Sequence, residues 1–356
     1  MARSRLLRCL GLLWAFQAGP AGWAQAETAP RPEDTPAQEA DVPAGKTAPE
    51  DTPAVEPAAG PAAPAETPAK EGPPVANWLE AQVELHRRGF SCGSIDGLRG
   101  TQTAEALKAF QRNEGLRDTG ELDPATLRLL LLTAPACTTH TFTSAELARL
   151  EPVPDTWLGK SQCPELYYAT ALEMIGEQYH ASPKFLRSLN PEFNWDDILP
   201  GSTVKVPAVD PFTSDLKVAR VHIRLADHVL EATTEEGQIV LHCPVSIARN
   251  VDKRPVGELH VIVVAPNPDY TWDPAVFSES PEAKELGRKL IIPPGPNNPV
   301  GLAWIGLDRP GYGMHGTPDP EKVGRTESHG CFRLANWDAV ALLSLVKIGL
   351  PVIVEP

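Results

Sequence analysis

Nowhere in its 356 residues does this chain string together 18 uninterrupted apolar side chains. A helix needs about that many to cross a bilayer, so no stable membrane anchor is expected and the mature protein should be soluble. Basic residues are also short, with 32 Lys and Arg against 46 Asp and Glu and a net charge of −14. That balance offers no basic surface to a phosphate backbone, and no nucleic-acid partner is expected. What the first residues do hold is a targeting pattern. Arg3, Arg5 and Arg8 make a basic start, Leu10 to Phe16 is a short apolar run, and Ala24-Gln25-Ala26 is a small-x-small cleavage site. Residues 1–26 therefore read as a signal peptide, cut after Ala26, and the mature chain as exported.

Residues 27–76 contain twelve prolines, with ten acidic and three basic residues, so half of the chain's negative charge sits here. Proline stops helices and few side chains are available to bury, so this stretch reads as an extended, disordered, solvated linker. Three modules follow. In residues 77–133, Trp78, Ala81 and Leu85 share one helical face, Gly89 is placed to end that helix, and Thr103 is placed to cap a second containing Leu107 and Phe110. Asp123-Pro124 is a cap and first-turn proline opening a third helix with Leu127, Leu130 and Leu131. Residues 134–162 read as a proline-bearing connector. In residues 163–209, Leu172, Ile175, Gly176 and Tyr179 suggest a helix, Ser182 caps a second, and Thr203 to Pro207 reads as a closing strand.

From Leu216 the pattern becomes that of strands. Val221, Ile223 and Leu225 alternate with polar residues, and Glu236-Gly237 reads as a hairpin turn. Leu259 to Val264 is a continuous apolar run of the kind expected for a strand buried on both faces. A late helix from Asn336 to Lys347, with Val340, Leu343 and Val346 at helical spacing, precedes a last strand at 352–354.

Reactive side chains concentrate in one place, His315-Gly316-Thr317 and then Ser328-His329-Gly330-Cys331-Phe332-Arg333. A cysteine attacks as its thiolate, which a neighbouring imidazolium or backbone dipole favours. His329 lies two residues before Cys331 and so points to the same side of an extended segment, whereas His315 must arrive by folding. The backbone N–H groups at Gly330 and Cys331 are open to an oxyanion, and Arg333 is placed to hold a carboxylate or carbonyl. Five cysteines remain after cleavage, an odd number. If Cys331 is the nucleophile it is the one left over, and Cys92, Cys137, Cys163 and Cys243 are available for pairing in a connectivity that spacing does not set. A zinc reading of His315, His329 and Cys331 lacks both the close paired spacing of structural sites and an evident fourth ligand.

These motifs resemble known families. Arg88-Gly89-Phe90, Ile95-Asp96-Gly97, Ala109-Phe110-Gln111 and Thr119-Gly120 are similar to the peptidoglycan-binding type 1 module, with Ala81 where that family usually has leucine. Leu189-Asn190-Pro191, Leu199-Pro200-Gly201 and Val204 to Pro207 resemble the second half of a LysM domain, a glycan-binding βααβ fold. Its usual Gly-Asp-Thr opening is replaced by Thr170-Ala171-Leu172. The His315 and Cys331 motifs, with Pro255-Val256-Gly257-Glu258 and Pro294 to Pro299, resemble the L,D-transpeptidase (YkuD-type) catalytic domain over 216–356. The resemblance implies a multidomain chain. Its mainly-β catalytic domain would be β-sandwich-like with one late helix, preceded by a small three-helix domain and a small LysM-like one. It further implies Cys331 as the acyl-accepting thiol and His315 as its base. His329 and Gly330 would shape the oxyanion site, with Arg333, Ser328 and Thr317 supporting substrate or motif. No cofactor and no metal is implied. The substrate would be peptidoglycan, stem peptides and glycan strands, in the periplasm or cell wall. The outcome would be a 3→3 cross-link, L,D-carboxypeptidase hydrolysis or attachment of a protein lysine, depending on the acceptor. A wall-binding scaffold without activity is the reading from another class. Trp272, Tyr270 and Trp304 read as core rather than site.

Overall fold

The computed structural model describes residues 72–276, 280–326 and 330–356. The stretch read as a signal peptide, that read as a linker up to residue 71, Ser328 and His329 lie outside the described residues. All described residues belong to one compact unit, Glu66–Pro356.

The first three helices are α1 (Trp78–Arg87), α2 (Thr101–Asn113) and α3 (Pro124–Leu129). Asn77 caps α1 through the N–H of Glu80, and Ala81 and Leu85 are fully buried against Leu107 and Phe110 of α2. Asp123 caps α3 as its side chain predicts, accepting from Ala125 and Thr126 N–H. Thr103 does not cap α2. The helix begins two residues earlier with Gly100 as its cap, and the buried Thr103 hydroxyl accepts from Gln82 Nε2 at 3.1 Å. Gln82 outcompetes the backbone for that hydroxyl while its own carbonyl accepts from Asp96 and Gly97 N–H, which ties the 93–103 loop to α1.

Next come β1 (Cys137–Thr141), α4 (Ser144–Ala148), α5 (Trp157–Ser161), α6 (Ala171–Gln178), α7 (Pro183–Leu189) and β2 (Thr203–Pro207). β1 falls inside the stretch that reads as a connector. It pairs antiparallel with β2, from Cys137 opposite Pro207 to Thr141 opposite Thr203. The sequence hides this strand because three of its five residues are threonines and only His140 is buried. Thr170 caps α6 and Ser182 caps α7, while Phe142, Ile175, Leu186, Val204 and Val206 fill the core between helices and strands.

The remaining elements are β3 (Arg220–Arg224), β4 (Val229–Thr233), β5 (Ile239–Pro244), β6 (Gly257–Pro266), β7 (Tyr270–Trp272), α8 (Pro281–Leu286), β8 (Leu290–Ile292), β9 (Ala303–Leu307), β10 (Gly313–His315), β11 (Phe332–Arg333), α9 (Asn336–Leu345) and β12 (Pro351–Glu355). Eight strands form one sheet in the order β11-β10-β9-β6-β12-β3-β4-β5, and β7 and β8 form a separate hairpin. The two-sheet sandwich expected from sequence is instead a single curled sheet. Ten-residue β6 serves both halves, pairing with β12 up to His260 and with β9 beyond it, across a register shift at Val261–Val263. A bulge of that kind bends a strand and raises its twist. The curl brings the far ends together, since Ser246, just after β5, exchanges two backbone hydrogen bonds with Arg333 of β11 at 2.9 and 3.0 Å. The late helix is also not alone, because α8 sits within the β7–β8 hairpin.

The apolar run on β6 is not buried on both faces. Val261 is fully buried, but Ile262 and Val263 are 50% and 42% exposed. Val263 pairs with Gly306 and Ala265 with Trp304, so these side chains stand on a face of the sheet that is left open. The buried apolar residues of α9 are Ala339, Ala341 and Leu342 rather than Val340, which is exposed because the helix packs its opposite side onto the sheet.

The modules are joined by backbone as well as side chains. His242 of β5 donates its N–H to Gly89 O and accepts from Ser91 N–H, so residues 89–91 run beside β5. Arg112 of α2 reaches Glu231 of β4 at 2.6 Å, where Arg224 and His242 also converge. His86 of α1 accepts from Cys92 N–H at Nε2, so its Nδ1 carries the proton and donates to His180 Nδ1 at 3.2 Å. His180 in turn stacks on Trp337 of α9, ring centroids 4.9 Å apart. Cys92 and Cys243 are buried thiols in two different cores, and neither they nor Cys137 and Cys163 form a disulfide.

Candidate active site

Strand alternation brings the reactive residues together. β10 pairs with β9 so that Met314 opposes Ile305 and His315 opposes Trp304, and β11 lies parallel to β10 with Phe332 beside Met314 and Arg333 beside His315. Met314, Ile305 and Phe332 are buried in the core. One residue along each strand therefore turns outward, which puts His315, Trp304, Arg333 and, level with Gly313, Cys331 on one face. This is the open face that carries Val263 and Ala265. Gly313 keeps it open at the thiol, since a Cβ there would lie 2.8 Å from the Trp304 ring.

His315 is buried, and its Nδ1 lies 2.6 Å from the carbonyl of Gly316. A carbonyl only accepts, so Nδ1 carries the proton and Nε2 keeps its lone pair. Burial, with a smaller contribution from the Arg333 charge, drops its pKa to about 4 against the opposing hydrogen bond to Gly316. The ring is neutral at pH 7 and stacks on Trp304 with centroids 5.6 Å apart. The Cys331 thiol lies 3.4 Å from Gly311 O. Burial pushes it up, while a Gly313 backbone hydrogen bond and the Arg333 charge oppose that shift. The resting group is thus a thiol rather than a standing thiolate, and a base is needed to take its proton. Arg333 is half-buried on the same face. Asp319 offers it a compensating negative charge.

The other expected residues divide. Ser328 and His329 lie outside the described residues. Among the described residues, the space where a Gly330 side chain would stand is open. Thr317 is buried, and its hydroxyl accepts from Asp319 N–H at 3.3 Å in the loop after His315. Of the three aromatics read as core, only Trp272 is fully buried. Tyr270 is half-buried on the β7–β8 hairpin, where its ring lies against Trp157 with centroids 6.2 Å apart.

Asn336, the first residue of α9, is a site residue that the sequence did not reveal. It is wholly buried, and its Oδ1 accepts from Leu302 N–H at 3.0 Å. The same oxygen would lie 1.9 Å from a Cβ on Gly301 and 2.1 Å from one on Gly316. Gly301 also has φ +63°, a conformation that disfavours any side chain. Gly301→Ala is therefore expected to destabilise the fold by roughly 3 kcal/mol or more, from left-handed strain plus overpacking. A thermal melt matching that of the unsubstituted protein would contradict this packing.

Comparison with known proteins identifies the domain that carries this face. Residues 219–354 match the L,D-transpeptidase catalytic domain family YkuD. The chain carries an L,D-transpeptidase catalytic domain. Residues 75–130 match the putative peptidoglycan binding domain. The chain is 25% identical over 186 residues to a putative L,D-transpeptidase YkuD of Bacillus licheniformis, a match covering 52% of this chain and 93% of that relative. To the putative L,D-transpeptidase YqjB of Bacillus subtilis it is 34% identical over 115 residues, spanning 31% of this chain and 56% of the relative. Among solved structures, an L,D-transpeptidase from Mycobacterium smegmatis aligns with 44% of this chain and 64% of its own at 19% identity and a TM-score of 0.31. The transpeptidase domain includes every described residue of the open face, from Val263 on β6 to Arg333 on β11.

Proposed function

We propose that this protein is an exported peptidoglycan L,D-transpeptidase that works in the periplasm or cell wall. The observation that carries the reading is the single open face holding Cys331, a neutral His315 with its Nε2 lone pair available, and Arg333. Cys331 Sγ gives its proton to His315 Nε2 and bonds to the carbonyl carbon of the L-centre residue in a tetrapeptide stem. The C–N bond to the terminal D-alanine breaks as His315 returns the proton to the leaving amine. An acceptor amine then attacks the thioester, the C–S bond breaks, and the thiol is restored. With a second stem peptide as acceptor the product is a 3→3 cross-link.

In this reading, N–H groups at Gly330 and Cys331 hold the oxyanion together with His329. Arg333 and Ser328 support the substrate, and Thr317 supports the motif. Residues 75–130 hold the wall polymer. The antiparallel pair β1–β2 enclosing α6 and α7 supports a LysM-like glycan-binding module whose first strand is Cys137–Thr141, with residues 142–170 inserted before α6.

The test is incubation with tetrapeptide muropeptides followed by mass spectrometry, with the Cys331→Ala chain as blank. Dimers that lack one D-alanine are expected. Tripeptide monomers alone would redirect the assignment to a carboxypeptidase, and unchanged substrate would overturn it in favour of a wall-binding scaffold.

A further inference from the structure

Glu177, on α6, lies outside both matched domains, yet its side chain enters the transpeptidase domain. Asn336 Nδ2 lies 2.9 and 3.0 Å from the two Glu177 carboxyl oxygens and donates to the carboxyl. Tyr168 orients the carboxyl by donating its hydroxyl to Oε1 at 3.1 Å. The other acceptor of Asn336 Nδ2 is Pro296 O at 3.1 Å.

These contacts decide which way the Asn336 amide faces. An amide has one end that donates and one that accepts. With acceptors from Glu177 and Pro296 gathered at Nδ2, Oδ1 must face Leu302 N–H and the Cα atoms of Gly301 and Gly316. Gly316 N–H also donates to Ala303 O, so Asn336 pins both strands of the crossing at which Gly316 sits. The carbonyl of that same Gly316 fixes the His315 tautomer. The path is continuous, Tyr168 to Glu177 to Asn336 to Gly316 to His315. Glu177 is 8% exposed, and placing a carboxyl there is expensive compared with a methionine of similar shape. Bulk alone does not require it.

We propose that Glu177 is a positioning residue for the catalytic pair, supplied by the α6 module and acting through Asn336 on the Gly316 carbonyl that orients His315. The inference rests on the assignment of His315 and Cys331 above. Its readout needs no peptidoglycan, so its failure and the failure of that assignment are separable.

The experiment is carbamidomethylation of the full chain by iodoacetamide at pH 7, with each cysteine quantified by peptide mapping. Cys92 and Cys243 are deeply buried and report folding in the same sample. In Glu177→Met, modification of Cys331 is expected to slow at least fivefold while Cys92 and Cys243 stay protected. Glu177→Gln keeps one acceptor oxygen for Asn336 and should restore the rate to within twofold of the unsubstituted protein. An unslowed Cys331 in Glu177→Met, or equal slowing in the glutamine and methionine variants, overturns the proposal. Should Glu177→Met expose Cys92 and Cys243, Tyr168→Phe decides instead. Removing only the orienting hydroxyl is expected to slow Cys331 two- to threefold, and no slowing overturns the proposal.

Discussion

Cys331→Ala is expected to gain no mass on incubation with a carbapenem, whereas the unsubstituted protein gains one whole carbapenem per chain. His315→Asn is expected to gain it about 10²–10⁴ times more slowly, the usual range for loss of a general base. The size of the histidine effect follows from the state of the thiol. Burial raises the Cys331 pKa more than Arg333 and the Gly313 backbone lower it, so little thiolate stands ready at pH 7. Proton removal must accompany attack, and the neutral His315, held by Gly316 with Nε2 unprotonated, is the base proposed for that face. With a pKa of about 4, His315 stays competent through neutral pH, and acylation should fail only as the pH drops toward that value. Time courses of intact mass check all three chains. A His315→Asn rate within threefold of the unsubstituted protein would remove the imidazole from the mechanism.

Thermal stability is expected to peak near pH 6.5 and fall on both sides. Burial lowers His86 and His315 to about 4, and His180 well below its ordinary 6.5. Their contribution is complete above pH 6.5, where the unfolded chain is also neutral, and is lost as the pH falls toward 4 because only the unfolded chain takes up protons. Burial acts in the opposite sense on Glu177 and Asp338, which it raises to about 8. Their contribution is complete below the unfolded carboxyl range and is lost as the pH rises through 8. Between roughly pH 4.5 and 6.5 the three histidines outweigh the two carboxyls. Above 6.5 the carboxyls act alone, with a slope of about 2.7 kcal/mol per pH unit for two protons. Asp338→Asn should halve that alkaline slope. Melting temperatures measured from pH 5 to 9 check this, and a flat profile between 6.5 and 8 would show that these groups are not neutral in the fold.

The reactive motif was legible because its members are close in sequence and chemically distinct. His315, Cys331 and Arg333 need only two adjacent strands to share a face. The caps at Asp123 and Ser182 were legible because a capping side chain acts within three residues. Three features escaped for one reason, that distant segments decide them. Asn336 looks like an ordinary helix start until Glu177, 159 residues away, turns its amide. The exposure of Ile262 and Val263 depends on what does not cover β6, and an apolar run looks the same whether it is buried or lines a groove. Trp304 was assigned to the core from the usual habit of aromatics, but the open face needs apolar walls too. β1 escaped because a threonine-rich edge of five residues has no alternation to read.

The pairing of residues 89–91 with β5 has a practical consequence. β5 ends the curled sheet, and over His242 its outer hydrogen-bonding groups are occupied by Gly89 and Ser91. A fragment beginning at Leu216 would keep the whole transpeptidase domain but leave those groups bare, along with the apolar residues of β5. Bare strand edges recruit other copies. Such a fragment is expected to self-associate or precipitate at concentrations where the longer chain stays dispersed, so the smallest well-behaved form of this enzyme starts before Val75.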